Sequence, residues 1–586
     1  MPSPRGADML ARSIRQSGAR RVFSLSGNHI MPVYDALFDL DLALLHTRHE
    51  GAAVHMADAW ARLTGEVGVA LVTGGPGHAN AVSALYTAAM SESPVVLLSG
   101  HAPHSQAGWG AFQEMDQVAM AAPVAKAAWA VRDADAMAGD FARACRIARS
   151  GRPGPVHLSL PTDALEATAR DAALPAPSAY AAEPAPLSAE AAAALLQRLR
   201  RAERPLALVG PQGLTGPGRR AVADAARALG LPVVATESPR GSNDPSLGAF
   251  AQALARADCV LLLGKRLDYT LKFGQAPVFA PDCAFLQVDA DAAEFARTRR
   301  AVGGRLEAAL CADVLPALAA LAAVAAPEAA GRPAATGGTS AAGVAAGGAV
   351  ADGAAVGGVA AGGAASVGSA AATGGSHEEW RREVEECLAY RPPAWREAAP
   401  QAAPAHPAQL CRPVQAVLDS HPDAVLVVDG GEFGQWAQAC LTAPHRVING
   451  AAGAIGAALP MAVAAKLAYP DAPVVAMMGD GTFGFHCAEF DTAVRAGAAF
   501  VCVVGNDARW NAEYQIQLNS YGRERLIGCE LLPTRYDRVA QAFGGHGAHA
   551  DTAEALEGLL HEALASGLPA CLDVALDGLP APVVRR

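Results

Sequence analysis

Short apolar runs recur along this chain, and most of them break off in glycine or a polar cluster just before helical periodicity begins. In the first third, residues 21–25 end at Ser26-Gly27-Asn28-His29 and residues 42–45 lead into Thr47-Arg48-His49-Glu50. Residues 67–72 end at Thr73-Gly74-Gly75-Pro76-Gly77-His78, and residues 95–98 at Ser99-Gly100-His101. Apolar spacing over residues 7–17 and 51–63 predicts helices. Further strands are predicted at 205–209, 231–235, 259–264, 424–428, 474–478 and 500–504, with a helical pattern between the last two that runs through Val494. Strands alternating with helices predict βαβ units. The expected fold class is α/β, with three doubly wound parallel-sheet domains. Such sheets bind ligands at the carboxyl ends of their strands, where this chain places its glycines and polar clusters.

Composition sharpens that picture. A chain of 586 residues allows several domains, and its 52% hydrophobic content suffices for their cores, although much of it is alanine. The net charge of −11 and the scattered basic residues leave no face for nucleic acid. Eleven cysteines without a CxxC pair argue against a disulfide framework or a zinc site and fit a reducing compartment. No apolar run has signal-peptide or bilayer-spanning length, so a cytoplasmic protein without membrane contact is expected. Residues 326–376 are almost all alanine and glycine and predict a flexible linker. The expected domains are therefore 1–170, 188–325 and 377–586 around that linker.

The most specific chemistry lies in residues 474–511, VVAMMGDGTFGFHCAEFDTAVRAGAAFVCVVGNDARWN. One βαβ unit brings Gly479-Asp480-Gly481 and Asn506-Asp507 to the same sheet edge. Asp480 and Asp507 are hard oxygen ligands of the kind Mg²⁺ takes, and Mg²⁺ also holds phosphates. Gly481, Thr482 and Phe483 open the helix, where free N–H groups and the helix dipole favour a diphosphate. A solvated aspartate in an ordinary turn accounts for a bare Gly-Asp-Gly, but not for a second acidic loop one unit later.

This pairing resembles the thiamin-diphosphate motif of the acetolactate synthase superfamily. The resemblance implies thiamin diphosphate and Mg²⁺ as cofactors, with Asp480, Asp507 and the main-chain carbonyl of Arg509 on the metal. The family usually has a second asparagine where Asp507 stands. RHEGAAVHMADAWAR is similar to the segment that carries the catalytic glutamate of acetolactate synthases and benzaldehyde lyase, which makes Glu50 the residue that protonates N1′ of the aminopyrimidine. VTGGPGHAN resembles the family's glycine-rich turn and places Gly77, His78 and Asn80 near that ring. GAFQEMDQVAMAAPVAK gives Phe112, Gln113 and Lys126 as walls of the pocket, and SLSGNHI adds Asn28 and His29. Histidine at this last position is a benzaldehyde lyase feature, whereas acetolactate synthases have glycine and alanine there. In the third domain, NGAAGAIGAALP implies Ile455 as the wedge that bends the cofactor and the Gly453 carbonyl as an acceptor for N4′. Gly431 falls in the diphosphate loop and Gly479 in the turn before Asp480, while residues 507–513 reach over the thiazolium and Trp510 lines the substrate pocket. Glu432 stands where the family has an uncharged residue, and its charge would repel phosphate unless it turned away.

Acetolactate synthases bind FAD in the central domain. The loose glycines of GPQGLTGPG, the shortened region 237–248 and the likeness of LLLGKRLDYTLKFGQAPVF to 2-hydroxyacyl-CoA lyases weigh against FAD here. For Lys265 and Arg266 the preferred reading is a solvated charge, with contact to a nucleotide phosphate as the alternative. The expected activity is acetolactate synthase-like: decarboxylation of a 2-oxo acid such as pyruvate and ligation of the acyl unit to an acceptor. The alternative is a C–C lyase acting on acyloins or 2-hydroxyacyl-CoA. Gln113, His29 and His78 are the candidates for proton transfer or for holding the substrate oxygen. A non-catalytic binding or regulatory subunit is disfavoured by the intact Glu50, Asp480 and Asp507. The family implies a homodimer or homotetramer with active sites between subunits.

Overall fold

The computed structural model describes residues 3–326 and 373–586. Three parallel sheets account for all seventeen described strands. The first holds β1 (Arg21–Ser24), β2 (Ala43–His46), β3 (Gly68–Val72), β4 (Val95–His101), β5 (Ala127–Ala130) and β6 (Val156–Pro161) in the order β2-β1-β3-β4-β6-β5. The central sheet holds β7 (Pro205–Val209), β8 (Val233–Ala235), β9 (Cys259–Leu263), β10 (Ala284–Asp289) and β11 (Leu306–Cys311) in the order β11-β10-β9-β7-β8. The third repeats the first in order, β13-β12-β14-β15-β17-β16, from β12 (Val425–Val428), β13 (His445–Ile448), β14 (Val474–Gly479), β15 (Val501–Asn506), β16 (His546–Ala550) and β17 (Ala570–Ala575). Inner strands such as β3, β9 and β12 are buried along their whole length, because helices cover both faces, and so they read as unbroken apolar runs. Pairing of β14 with β15 sets Gly479 opposite Gly505, so the loops carrying Asp480 and Asp507 leave the sheet side by side.

The alanine content has a use. The Glu50–Thr64 helix of the first domain packs on the Ala458–Ala468 helix of the third within one apolar cluster. Small, fully buried Ala53, Ala57, Ala462 and Ala465 let the two helices approach closely.

The structure departs from the sequence-based expectations in four places. The first sheet has six strands rather than four: β6 is hidden in the sequence by His157 and Ser159, polar residues that are nonetheless buried. The helix expected through Val494 is two helices, Asp480–His486 and Glu489–Ala496, and it breaks where His486 Nδ1 donates to the Gly456 carbonyl at 2.7 Å. The Thr373–Ala389 helix does not open the third domain. Its Trp380, Val384 and Cys387 lie in the central core with Leu206 and Val260, and Trp380 Nε1 donates to the Pro205 carbonyl at 2.8 Å. The first domain also runs past residue 170, since Tyr180 is buried against it with its hydroxyl 2.7 Å from Ser13 Oγ. Residues 327–372 of the expected linker lie outside the described residues. All eleven cysteines are free, and no described helix is long and apolar enough to cross a membrane.

Candidate cofactor and active site

A cleft of about 220 Å³ opens at the carboxyl edge of the third sheet. Gly431, Gly453, Ile455, Gly479, Asp480, Gly481, Thr482, Asp507, Arg509 and Trp510 all line it. A Cβ placed on Gly431, Gly453 or Gly479 would meet no protein atom within 4 Å, so the space beside these glycines belongs to the cleft. Gly481 is different: a Cβ there would lie 2.8 Å from the Trp510 ring, which packs directly on the turn. Phe483 does not reach the cleft. Its side chain is fully buried beside Phe490 and Tyr536, so only its main chain is left to face a ligand.

The two aspartates are set up for a cation. Asp480 is 2% exposed and its Oδ2 is buried without a hydrogen-bond partner. Burial raises the Asp480 carboxyl to about 6, against the pull of main-chain N–H groups of Gly481 and Arg509. Burial and then the charge of Asp480 raise Asp507 to about 7. Two under-solvated carboxylates with an orphan oxygen fit a divalent ion, which would relieve both charges at once. The loop that presents Asp507 is strained: Ala508 has φ +55°, held there by its N–H to Asn506 Oδ1 and its carbonyl to the Leu531 N–H.

Asp429 fixes the opposite wall. Its buried carboxylate accepts N–H groups from Gly430 and Gly456 through Oδ1 and from Ala458 through Oδ2, tying the Gly431 loop to the one bearing Gly453 and Ile455. Burial outweighs those bonds and raises its carboxyl to about 6. Glu432 turns its carboxylate to Arg240 at 2.9 Å, which answers the repulsion its charge poses to a phosphate.

A second cluster lies at the carboxyl edge of the first sheet. Glu50 opens its helix, 9% exposed, and its Oε2 accepts from Asn80 Nδ2 at 3.1 Å. Gly77 leaves room for Glu50: a Cβ there would stand 3.3 Å from Oε1 and 2.7 Å from the Thr73 methyl. His29 lies on the other side of Thr73, with Nδ1 3.3 Å from Thr73 Oγ1 and its ring stacked on Phe112 at 5.9 Å. Burial lowers the His29 pKa, so the neutral ring is favoured. Gln113, at φ +59°, follows Phe112 and sits against Gly75, while Asn28 is exposed at the rim. Buried Gln117 holds this arrangement: it accepts from Gly75 N–H and donates to the Gly100 carbonyl.

Two expected residues stand apart from this cluster. The His78 ring is fully buried under the turn, bonded to Ser99 Oγ at 2.9 Å and 4.4 Å from the His157 ring, with its pKa lowered to about 4 by burial. It has no exposed atom with which to meet a substrate. Lys126 donates to the Ile147 and Ser150 carbonyls and faces the cleft between the first and central domains, away from Glu50.

The central sheet's carboxyl edge carries an ion-pair cluster. Gly210 and Gly264 follow β7 and β9, Asp289 ends β10, and first-domain side chains reach this edge. Arg152 binds the Glu92 and Asp289 carboxylates and the Gly264 carbonyl, and Gln212 Nε2 donates to Glu92 at 3.0 Å. Lys265 bonds to Thr270 Oγ1 at 2.9 Å and Arg266 pairs with Glu294 at 3.2 Å. Lys265 is buried rather than solvated, whereas Arg266 also lines the groove between the first and central domains.

The sequence matches the thiamine pyrophosphate enzyme N-terminal TPP binding domain over residues 4–120, the central domain over 192–321 and the C-terminal TPP binding domain over 429–574. It is 32% identical to an acetolactate synthase large subunit of Mycobacterium tuberculosis, covering 97% of this chain and 95% of the relative. It is 31% identical to 2-hydroxyacyl-CoA lyase 2 of Bos taurus and 30% identical to that of Homo sapiens, each over 92% of this chain and 84% of the relative.

Proposed function

The chain belongs to the thiamine pyrophosphate enzyme family, and we propose that it is an acetolactate synthase-like enzyme that decarboxylates a 2-oxo acid such as pyruvate and joins the acyl unit to an acceptor. When bound, thiamin diphosphate supplies a nucleophilic carbon that attacks a carbonyl and an electron sink for C–C cleavage. In this reading Asp480, Asp507 and the Arg509 carbonyl hold Mg²⁺, and the open glycines 431 and 479 with the start of the Asp480 helix take the diphosphate. Ile455 and the Gly453 carbonyl orient the rings. Glu50, oriented by Asn80, shares a proton with the aminopyrimidine N1′. His29 and Gln113 hold the substrate oxygen, and Trp510 closes the pocket.

The observation that carries the reading is buried Asp480, with its orphan oxygen, paired with half-buried Asp507 in a glycine-lined cleft. That cleft is lined by third-domain residues alone, and Glu50 is not among them. This supports an active site completed by the first domain of a second copy, hence a homodimer or homotetramer. The groove that adjoins Asp507 carries Asp551, Asp573 and Asp577 against Arg509 and Arg535, a poor lodging for the phosphates of a CoA ester. The aromatic wall of His29 on Phe112 supports a second reading, cleavage of an uncharged acyloin. Purified protein with thiamin diphosphate and Mg²⁺ is given pyruvate in one assay and benzoin or a 2-hydroxyacyl-CoA in the other. CO₂ release with acetolactate is the expected result. Aldehyde release without pyruvate turnover would replace the synthase reading with the lyase.

A further inference from the structure

We propose that Glu489 is a positioning residue for Glu50, setting from the third domain the backbone that aims the Glu50 carboxylate. The inference rests on reading Glu50 as the proton-sharing residue. Glu489 opens the Glu489–Ala496 helix and is 1% exposed. Its Oε1 accepts the Arg48 N–H at 3.0 Å, and Thr492 donates to its Oε2 at 2.6 Å. The segment between β2 and the Glu50–Thr64 helix therefore has its main-chain donor satisfied by another domain. The acceptor is a buried carboxyl, raised to about 7 by burial and still drawn down by the Arg48 N–H it accepts.

The same helix grips that segment at two other points, and the end of the preceding helix adds ring contacts beside Glu50. Arg495 Nη2 donates to the His46 carbonyl at 2.8 Å, and Arg48 lies 3.8 Å from Asp491. The His486 ring, just before the helix, meets the edges of His49 and His55, which flank Glu50, at 5.5 and 5.7 Å. Glu50 itself has a single side-chain partner, Asn80. Its direction is set by where its backbone is held, and Glu489 holds the residue two positions before it. A carboxylate displaced by an ångström costs a proton-transfer step about 100-fold.

The test uses full-length protein with Mg²⁺ and thiamin diphosphate and needs no substrate. It reads the exchange of the cofactor's C2 proton into D₂O, the cofactor affinity from Trp fluorescence, and the unfolding midpoint. Glu50→Gln is the reference and slows exchange about 100-fold or more. Glu489→Ala is expected to slow exchange about 10- to 100-fold while cofactor affinity stays within about threefold, since the diphosphate cleft is untouched. Glu489→Gln, whose amide oxygen still accepts the Arg48 N–H, recovers most of the rate. Wild-type exchange in Glu489→Ala beside a slow Glu50→Gln overturns the positioning role alone. Loss of cofactor affinity in step with exchange, without rescue by glutamine, overturns it as well and leaves a structural role. Wild-type exchange in Glu50→Gln overturns the reading of Glu50, and this inference with it. If Glu489→Ala does not fold, Thr492→Val decides: slowed exchange supports the role, and an unchanged rate overturns it.

Discussion

The central and third sheets share one architecture and do opposite things at the same edge. In both, parallel strands deliver glycines and aspartates to their carboxyl ends. At the third sheet the glycines border open space, and Asp480 keeps an oxygen without a partner. At the central sheet Arg152 arrives from the first domain and binds Asp289 and Glu92. Topology makes an edge available, and the residues at the strand ends decide whether it binds or docks. Glycines at a parallel-sheet edge therefore do not by themselves mark a ligand site, since at the central edge Glu92, Arg152 and Asp289 form an ion-pair cluster with no change of fold.

The largest effect expected from that contrast is at Asp480. Asp480→Ala removes the orphan oxygen and one of the two carboxylates, and cofactor affinity in the presence of Mg²⁺ should fall about 100-fold or more, since even residues behind metal ligands cost 10- to 100-fold. Titration calorimetry with and without Mg²⁺ measures it. Metal chelation of the wild type should reproduce the loss. An affinity that depends on neither Asp480 nor Mg²⁺ would remove the metal from the third-sheet edge and erase the contrast.

Much of this was legible in the chain itself. Three runs of strand–loop–helix punctuation announced three parallel sheets, and Gly479-Asp480-Gly481 with Asn506-Asp507 announced the cleft, because short-range spacing fixes which loops share an edge. What stayed hidden depends on contacts between distant segments. Glu92, Arg152 and Asp289 are nearly 200 residues apart at the extremes, and nothing local in any of them marks a shared cluster. Asp429 looked like one more loop aspartate, yet it staples two walls of the cleft. His78 carried a motif position into a sealed pocket, which only packing reveals. Ala508 and Gln113 adopt left-handed backbone without glycine or asparagine to signal it.

A matched pair of substitutions tests the contrast at intermediate size. Gly479 and Gly210 are strand-end glycines of the two sheets, and neither has a positive φ. A Cβ on Gly210 would lie 2.3 Å from the Gly264 carbonyl oxygen, so Gly210→Ala must push the backbone apart and should cost about 1–3 kcal/mol of stability. Gly479→Ala meets no protein atom and should leave stability within about 0.5 kcal/mol. Its methyl group enters the cleft instead, and cofactor affinity should fall by about an order of magnitude through lost close approach. Denaturant unfolding and cofactor titration on both variants read the crossed pattern. If both lose stability and neither loses affinity, the third-sheet edge is packed like the central one.

The smallest effect concerns protons at the central edge. One guanidinium, Arg152, serves two buried carboxylates, so the second negative charge is under-compensated. Burial accordingly raises Asp289 from 3.8 to about 6, even though it touches Arg152. A carboxyl whose folded pKa lies above its unfolded value stabilises the fold by holding a proton. That contribution is fully present below about pH 4 and is lost as pH rises through about 6. Stability of the wild type should therefore decline slightly across this window, and Asp289→Asn, which keeps the shape and removes the titration, should flatten the decline. Unfolding transitions of the two proteins between pH 4 and 7 measure the difference. An unchanged slope in the variant means that Arg152 neutralises both carboxylates at once. The central edge would then be a fully compensated clamp, unlike the third edge, where Asp480 and Asp507 face each other with one oxygen unpartnered.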